Sequence, residues 1–127
     1  MDSVNLFSLA SDQARWLAVR QTAVAGNVAN VNTPGFRTRD VEPFQSVLDQ
    51  TRVTLASTDP GHIAMGSGPQ GLAVREVVDR DAALLPSDNT VSLETELLKA
   101  GEVRRSYELN TAIVKAFHRM TLMASRS

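Results

Sequence analysis

Three glycines in the middle of the chain are the first residues whose types and spacing suggest chemistry. Gly66, Gly68 and Gly71 in GSGPQG match the G-x-G-x-x-G pattern of loops that bind a dinucleotide. Such a loop needs a buried strand before it and a helix after it, because the pyrophosphate lies against the helix N-terminus. Here Pro69 interrupts the motif and an alternating, strand-like segment follows. We therefore interpret the stretch as a loop and expect no nucleotide cofactor and no small-molecule substrate.

The two histidines do not lie in a catalytic or metal-binding pattern. His62 lies in the glycine-rich stretch and His118 near the C-terminus, and neither has a second histidine or a carboxylate at ligand spacing. Asp59, His62 and Ser67 have the residue types of a hydrolase triad, but no nucleophile-elbow sequence surrounds the serine. The sequence has no cysteine, which excludes disulfides, thiolate metal sites and cysteine nucleophiles. We expect no enzymatic activity, no cofactor and no metal.

Composition narrows the class of protein further. The chain has 127 residues, 43% of them hydrophobic, which is enough for one folded domain. A formal net charge of −1 gives no electrostatic reason to expect nucleic acid as a partner. No apolar run is long enough to span a bilayer, and MDSVNLFSLASDQARW lacks the basic and apolar regions of a secretory signal peptide. We expect a soluble protein that needs no cleaved signal if it leaves the cytoplasm.

The first quarter of the chain has the spacing of a helix that packs lengthwise against other helices. Its apolar residues recur in steps of three and four, interrupted only by Gln21. Pro34 cannot continue a helix, and Pro34-Gly35 suits the centre of a type II turn, so the helix is predicted to end by about Asn32. Asn30 and Asn32 tolerate the left-handed conformation that closes many helices. The seam comprises Phe7, Ala10, Ala14, Leu17, Gln21, Val24, Val28 and Val31.

The middle of the chain predicts short elements only. Pro43 can open a short helix whose apolar residues lie within 44–48. Two alternating segments, around 53–55 and 72–78, are predicted to be strands that pair as a hairpin across the glycine-rich stretch 58–71.

A second long helix is predicted near the C-terminus. Thr90 or Ser92 can cap its start, and Glu94 or Glu96 places an acid in the first turn. Its apolar residues form two adjacent lines, whereas one neighbouring helix covers only a narrow seam, so the missing neighbours should be other chains. One line comprises Leu93, Leu97, Ala100, Val103, Tyr107, Val114 and Phe117, and the other Leu109, Ile113, Ala116, Met120 and Met123.

Together these patterns predict a mainly α protein. Long N- and C-terminal helices pack as a coiled coil, and a small β-hairpin and loop region lies between them. The predicted parts are 1–32 for the first helix, 33–88 for the middle region and 89–127 for the last helix. Contacts between subunits are predicted at Phe7, Leu17, Val24, Val28, Leu109, Ile113, Ala116 and Met120.

The segment ANVNTPGF, which closes the first helix, resembles the signature of the bacterial flagellar rod and hook family, Ala-Asn-x-x-Thr-Pro-Gly-aromatic. The short length excludes the hook and long distal-rod members. TDPGHI at 58–63 and the C-terminal segment are most similar to the short proximal-rod members. Phe36 stands where the family often has Tyr, and Arg37 where Lys is common. The signature positions are Ala29, Asn30, Asn32, Thr33, Pro34, Gly35 and Phe36.

The resemblance implies a structural subunit of the flagellar basal body. Such a subunit assembles with copies of itself and other rod proteins into the proximal rod, a drive shaft that transmits torque and extends the export channel. Its further partners are membrane-ring and export-gate components, and it reaches the periplasm by type III export without a cleaved signal. Two alternatives stay open, another short rod protein and a soluble helical adaptor or secretion chaperone. An adaptor should be a stably folded small oligomer, whereas a rod subunit should be poorly ordered until assembled.

Overall fold

Two long helices dominate the structure, a computed structural model that describes residues 3–49, 74–76 and 88–126. At 1.5 Å per residue the two helices are about 40 and 48 Å long. The predicted mainly α architecture is confirmed. In chain order the elements are helix α1 (Ser3–Ala29), strand β1 (Arg39–Val41), the short helix α2 (44–49), strand β2 (Val74–Glu76) and helix α3 (Leu93–Ala124).

Helices α1 and α3 pack as an antiparallel pair. The rings of Phe7 and Phe117 meet edge to face, with centroids 5.2 Å apart, near the start of α1 and the end of α3. At the other end of the pair, Asn27 contacts Glu96. The buried residues of α1 include Ala10, Leu17 and Val24, seven apart, and those of α3 are Glu96, Val103 and Asn110, also seven apart. This heptad spacing is that of the predicted coiled-coil packing.

The buried line on α3 differs from the apolar line predicted for it. Leu97 and Tyr107 are 61% and 53% exposed, whereas the polar residues Glu96 and Asn110 are buried. Asn110 is tolerated there because its side-chain amide donates to the carbonyl of Ala10 at 3.0 Å and to a side-chain oxygen of α1 at 2.9 Å. Three of the seven residues of the predicted line, Leu93, Leu97 and Tyr107, are therefore exposed rather than covered by α1.

The middle region contributes a two-stranded antiparallel sheet. Arg39 lies opposite Glu76, and Val41 lies opposite Val74. Strand β2 falls within the predicted strand 72–78, but β1 was not predicted. The hairpin partner predicted at 53–55 lies outside the described residues, as do Asp59, His62, Gly66, Ser67, Gly68 and Gly71.

Helix α2 follows Pro43, as predicted, and lies against α1. Trp16 donates its indole N–H to the carbonyl of Glu42 at 2.7 Å, and its ring lies 5.7 Å from that of Phe44. Ser92 caps α3 in an extended conformation and accepts from the backbone of Thr95, which confirms one of the two predicted caps. Within the described residues, neither long helix has a stretch apolar enough to cross a membrane.

Candidate functional site

The turn that follows α1, residues 30–36, redirects the chain and is called here the exit turn. The backbone N–H of Phe36 donates to the carbonyl of Thr33 at 3.3 Å, and Gly35 has a φ of +72°. These are the features of the predicted type II turn, which requires positive φ at its third residue. Glycine adopts that conformation without strain because it has no Cβ.

Helix α1 ends without the left-handed cap that its asparagines could have supplied. Among the described residues, φ is positive only at Gly35 and Asp88. The backbone N–H of Asn30 instead donates to the carbonyls of Gly26 and Asn27, and its side-chain amide donates to the same Gly26 carbonyl at 2.8 Å. The end of the helix is therefore closed by tightened turns rather than by an αL residue.

A segment from the other half of the chain, residues 88–91, holds the exit turn and is called here the clasp. Asn89 is 2% exposed, and its side-chain nitrogen lies 2.9, 3.1 and 2.7 Å from the carbonyl oxygens of Asn30, Val31 and Thr33. Its side-chain oxygen accepts from the backbone N–H of Val91 at 2.7 Å. One side chain thus contacts three carbonyls of the exit turn, two of which also accept a backbone N–H from within the turn.

Two threonines extend the contact between the clasp and the chain beyond the exit turn. Thr90 donates its backbone N–H to the carbonyl of Phe36 at 3.1 Å. The backbone N–H of Thr38 donates to the Thr90 hydroxyl at 2.9 Å, and the Thr38 hydroxyl donates to the Thr90 carbonyl at 2.8 Å. At the surface, Arg37 and Asp88 form an ion pair at 2.9 Å. The clasp, which directly precedes α3, therefore holds the exit turn and the chain that follows it.

Near the end of α1, just before the exit turn, the buried side-chain amide of Asn27 joins α1, β1 and α3. Asn27, 1% exposed, donates to the carbonyl of Arg39 at 2.7 Å and accepts from the backbone N–H of the same residue at 3.0 Å. The same side-chain nitrogen donates to a carboxylate oxygen of Glu96 at 3.1 Å. Asn27 therefore bonds both backbone groups of Arg39, as a residue of a neighbouring strand would, and so links α1 to β1. Its bond to Glu96 links α1 to α3 as well.

Charged residues surround this amide and complete what is called here the polar cluster, formed by Asn27, Glu96 and the ion pairs beside them. Lys99 lies 3.3 Å from Glu96 and 3.6 Å from Asp40. Arg20 lies 3.4 Å from Asp40 and 3.5 Å from Glu102. Every buried side-chain polar atom in the described part of the chain has a hydrogen-bond partner. A cluster satisfied in this way fixes which residues of α1 and α3 lie side by side.

Within the described residues, no group of three or more histidine or acidic side chains is placed to hold a metal ion. His118 is exposed on α3. The arrangement supports a positional role, since every contact described above orients backbone or side chains.

The predicted subunit contacts divide into two sets. Leu17 and Val24 are 1% and 3% exposed, because they pack inside the chain, while Phe7 contacts Phe117 and Val28 is partly buried. The other four form an exposed row on α3, called here the ridge. It consists of Leu109 (61% exposed), Ile113 (44%), Ala116 and Met120 (58%).

Sequence patterns missed Asn27, Asn89 and Glu96 as structural determinants. Asn27 and Asn89 fit no apolar periodicity, and Glu96 was placed only in the first turn of the helix. One signal was present, since Glu96, Val103 and Asn110 are spaced by seven. That spacing places two polar residues in line with an apolar one on a single helix face.

An antiparallel helical pair with a fixed exit turn and an uncovered apolar row has the structure of an assembling, structural subunit. Residues 16–37, which contain the exit turn, match the family model described as flagella basal body rod protein. The chain is 45% identical over 126 residues to the flagellar basal body rod protein FlgB of Agrobacterium fabrum (strain C58 / ATCC 33970), covering 97% of this chain and 94% of that protein. It is 30% identical over 99 residues to FlgB of Aeromonas hydrophila, covering 74% of this chain and 70% of that protein. The chain belongs to the flagellar basal-body rod protein family.

Proposed function

We propose that the chain is a structural subunit of the proximal rod, the part of the flagellar drive shaft that transmits torque and extends the export channel. Its similarity to two proteins named FlgB along most of its length supports this role. The main support for the proposal is the ridge, because this apolar row of α3 is exposed and α1 does not cover it. Contiguous exposed apolar side chains mark surfaces that other proteins cover.

In this role the helical pair lies in the inner layer of the rod, and the exit turn directs the chain outward from it. Other copies of the chain and other rod proteins cover the ridge, and membrane-ring and export-gate components adjoin the base of the rod. The subunit acts in the periplasm after type III export without a cleaved signal. The clasp and the polar cluster support this arrangement, because they set the direction in which the chain leaves the helical pair.

The substitution Ile113→Asp tests the proposal. In a strain that lacks its own copy of the gene, the variant should be expressed and exported, but the cells should not swim. The reason is that an unpaired carboxylate buried in a subunit contact costs several kcal/mol. Lys115→Asp is the matched control, since it introduces the same side chain two residues away on the opposite side of the exposed part of α3.

Swimming and the amount of the chain in purified basal bodies are the two measurements. We expect wild-type levels of both for Lys115→Asp and loss of both for Ile113→Asp. Normal swimming of the Ile113→Asp strain would contradict a subunit contact at the ridge. Absence of the wild-type chain from purified basal bodies would contradict the proposed function itself.

A further inference from the structure

A shallow groove runs between α1 and α3 on the side away from the ridge. Its lining includes Ala18 and Gln21 of α1 and Ala100, Gly101 and Tyr107 of α3. Three of the nine lining residues are alanine or glycine, and a Cβ added at Gly101 would meet nothing within 4 Å. Tyr107 is 53% exposed beside the groove. The groove is therefore an apolar depression that no side chain of the described residues fills.

The ridge and the groove lie on opposite sides of the line along which α3 faces α1. Helical residues are separated by about 100° around the axis, and Val103 marks the direction of α1. On this count Ala100 and Tyr107 lie on one side of Val103, and Leu109 and Ile113 lie on the other. Along the axis, the centres of the two surfaces are roughly 12 residues apart, which corresponds to about 18 Å.

The ridge has the residue spacing of a row that packs into a groove between helices. Leu109, Ile113 and Met120 follow one another at i, i+4 and i+11, which is the spacing of a continuous row of side chains on a helix. Helices pack when such a row enters the groove beside a neighbouring helix, and small residues on the floor allow the row to come close. Ala18 and Ala100 are the small residues that line the groove between the two helices.

The two surfaces match in charge. None of the ridge positions is charged. On the rim of the groove, Arg104 and Glu108 neutralise each other in an ion pair at 3.2 Å. Burying the ridge in the groove would therefore leave no charge without a partner. An unpaired buried charge would oppose such an apolar contact.

We propose that the ridge of one copy of the chain packs into the groove of a second copy. The inference rests on the proposed function and identifies one partner of the ridge. Because the two surfaces differ and lie on opposite sides of α3, the contact is heterologous, and each added copy still presents a free ridge and a free groove. Successive copies would be staggered, so the contact extends a row of subunits rather than closing a two-fold dimer.

Disulfide cross-linking tests this contact, since the chain has no cysteine of its own. The test chain carries Ala18→Cys and Ile113→Cys and replaces the wild-type copy in the cell. A bond within one chain is excluded, because Asn110 lies beside Ala10, so Ile113 is at least eight residues of α1, roughly 12 Å, from Ala18, beyond the reach of a disulfide. The control chain carries Ala18→Cys and Lys115→Cys. A second test chain carries Gln21→Cys and Leu109→Cys.

After oxidation, basal bodies are purified and the chain is detected on non-reducing gels. We expect dimers and higher multiples of the chain with both test pairs, at least ten-fold above the control pair. A further chain carries Ile113→Cys as its only cysteine. Dimers of that chain would indicate a two-fold contact and overturn the inference. A bond from Ile113→Cys to a different basal-body protein would overturn it as well.

The failure of the inference and the failure of the proposed function are distinguishable in this experiment. If both test chains are present in basal bodies and form no multiples, the ridge-to-groove contact is wrong and the proposed function stands. If the cysteine-free parent chain is itself absent from basal bodies, the proposed function is wrong, and the inference fails with it.

Discussion

The two ends of the helical pair are held together by different physics. At the end next to the exit turn, Asn27, Asn89 and Glu96 are buried and every one of their hydrogen bonds stays within the chain. At the other end, the rings of Phe7 and Phe117 pack against each other, Asn110 donates to the Ala10 carbonyl as the one buried polar contact described there, and the apolar row beside them is open. We call these the closed end and the open end.

This difference separates two tasks. Hydrogen bonds are directional, and a buried polar group left unpaired is costly, so the closed end permits one alignment of the helices and one path for the chain beyond α1. Apolar contacts are not directional, so the open end can accept a neighbour without first breaking a contact of its own. The chain fixes its own alignment at the closed end and presents the ridge at the open end, while the groove proposed to accept a neighbour's ridge lies between Ala18 and Gly101, nearer the closed end.

The buried contacts of the closed end lead us to expect an isolated chain with a measurable free energy of unfolding, in contrast to the poor order expected from the sequence. The largest effect on this free energy is expected from Asn27→Ala. The substitution leaves the Arg39 backbone and the Glu96 carboxylate without their amide partner, and we expect the free energy of unfolding to fall by about 2–3 kcal/mol. Urea titration followed by the fluorescence of Trp16, the only tryptophan, measures it. Gln21→Ala removes an exposed amide from the same helix and should change the value by less than about 0.5 kcal/mol. Equal effects of the two variants would show that the closed end does not depend on its buried amide.

An intermediate effect is expected at the exit turn. Gly35→Ala should lower the free energy of unfolding by about 1–2 kcal/mol, because alanine resists the positive φ. Gly26→Ala is the matched control, since Gly26 is helical and has equally open space around it. That substitution should stabilise the chain by about 0.5–1 kcal/mol.

Asparagine sharpens the same test. Gly35→Asn should cost less than Gly35→Ala, because asparagine enters the left-handed region more readily than alanine does. Thermal melts of the three variants rank them. If both substitutions at Gly35 were as harmless as the one at Gly26, the strain of positive φ would not govern the turn.

The smallest effect is expected from Arg37→Ala. Its ion pair with Asp88 joins the exit turn to the clasp, but the two side chains are 44% and 59% exposed. Exposed pairs of this kind contribute about 1 kcal/mol or less. The same urea titration should therefore show a decrease of that size in the free energy of unfolding. The decrease should be smaller in high salt, which screens the ion pair. If Arg37→Ala lowered the free energy of unfolding as much as Asn27→Ala, surface ion pairs rather than buried hydrogen bonds would stabilise the closed end.

Local patterns in the sequence were sufficient for much of the closed end. Pro34 and Gly35 predict the position and type of the exit turn, because proline stops a helix and glycine permits the φ that the turn needs. Ser92 predicts the start of α3 for a comparable local reason. The heptad of Ala10, Leu17 and Val24 predicts the buried face of α1.

The partners that hold these elements could not be predicted in the same way. Glu96 and Asn110 occupy seam positions of α3, yet by residue type alone each is expected at the surface. They are buried because their partners, Asn27 and the Ala10 carbonyl, lie 69 and 100 residues away along the chain. Asn89 acts at a separation of 56–59 residues. The heptad spacing of Glu96 and Asn110 indicates the helix face they share, but a single sequence does not show which distant groups they contact.

Hydrogen exchange of individual backbone amides tests the contrast between the two ends most directly. In the isolated chain at low concentration, amides of α3 beside the polar cluster, such as that of Val103, should exchange at least ten-fold more slowly than those of the ridge, such as that of Ile113. In assembled basal bodies the two should be protected alike, because a neighbour then covers the ridge. Equal protection of both amides in the isolated chain, or a ridge that still exchanges rapidly after assembly, would contradict the division into a closed end and an open end.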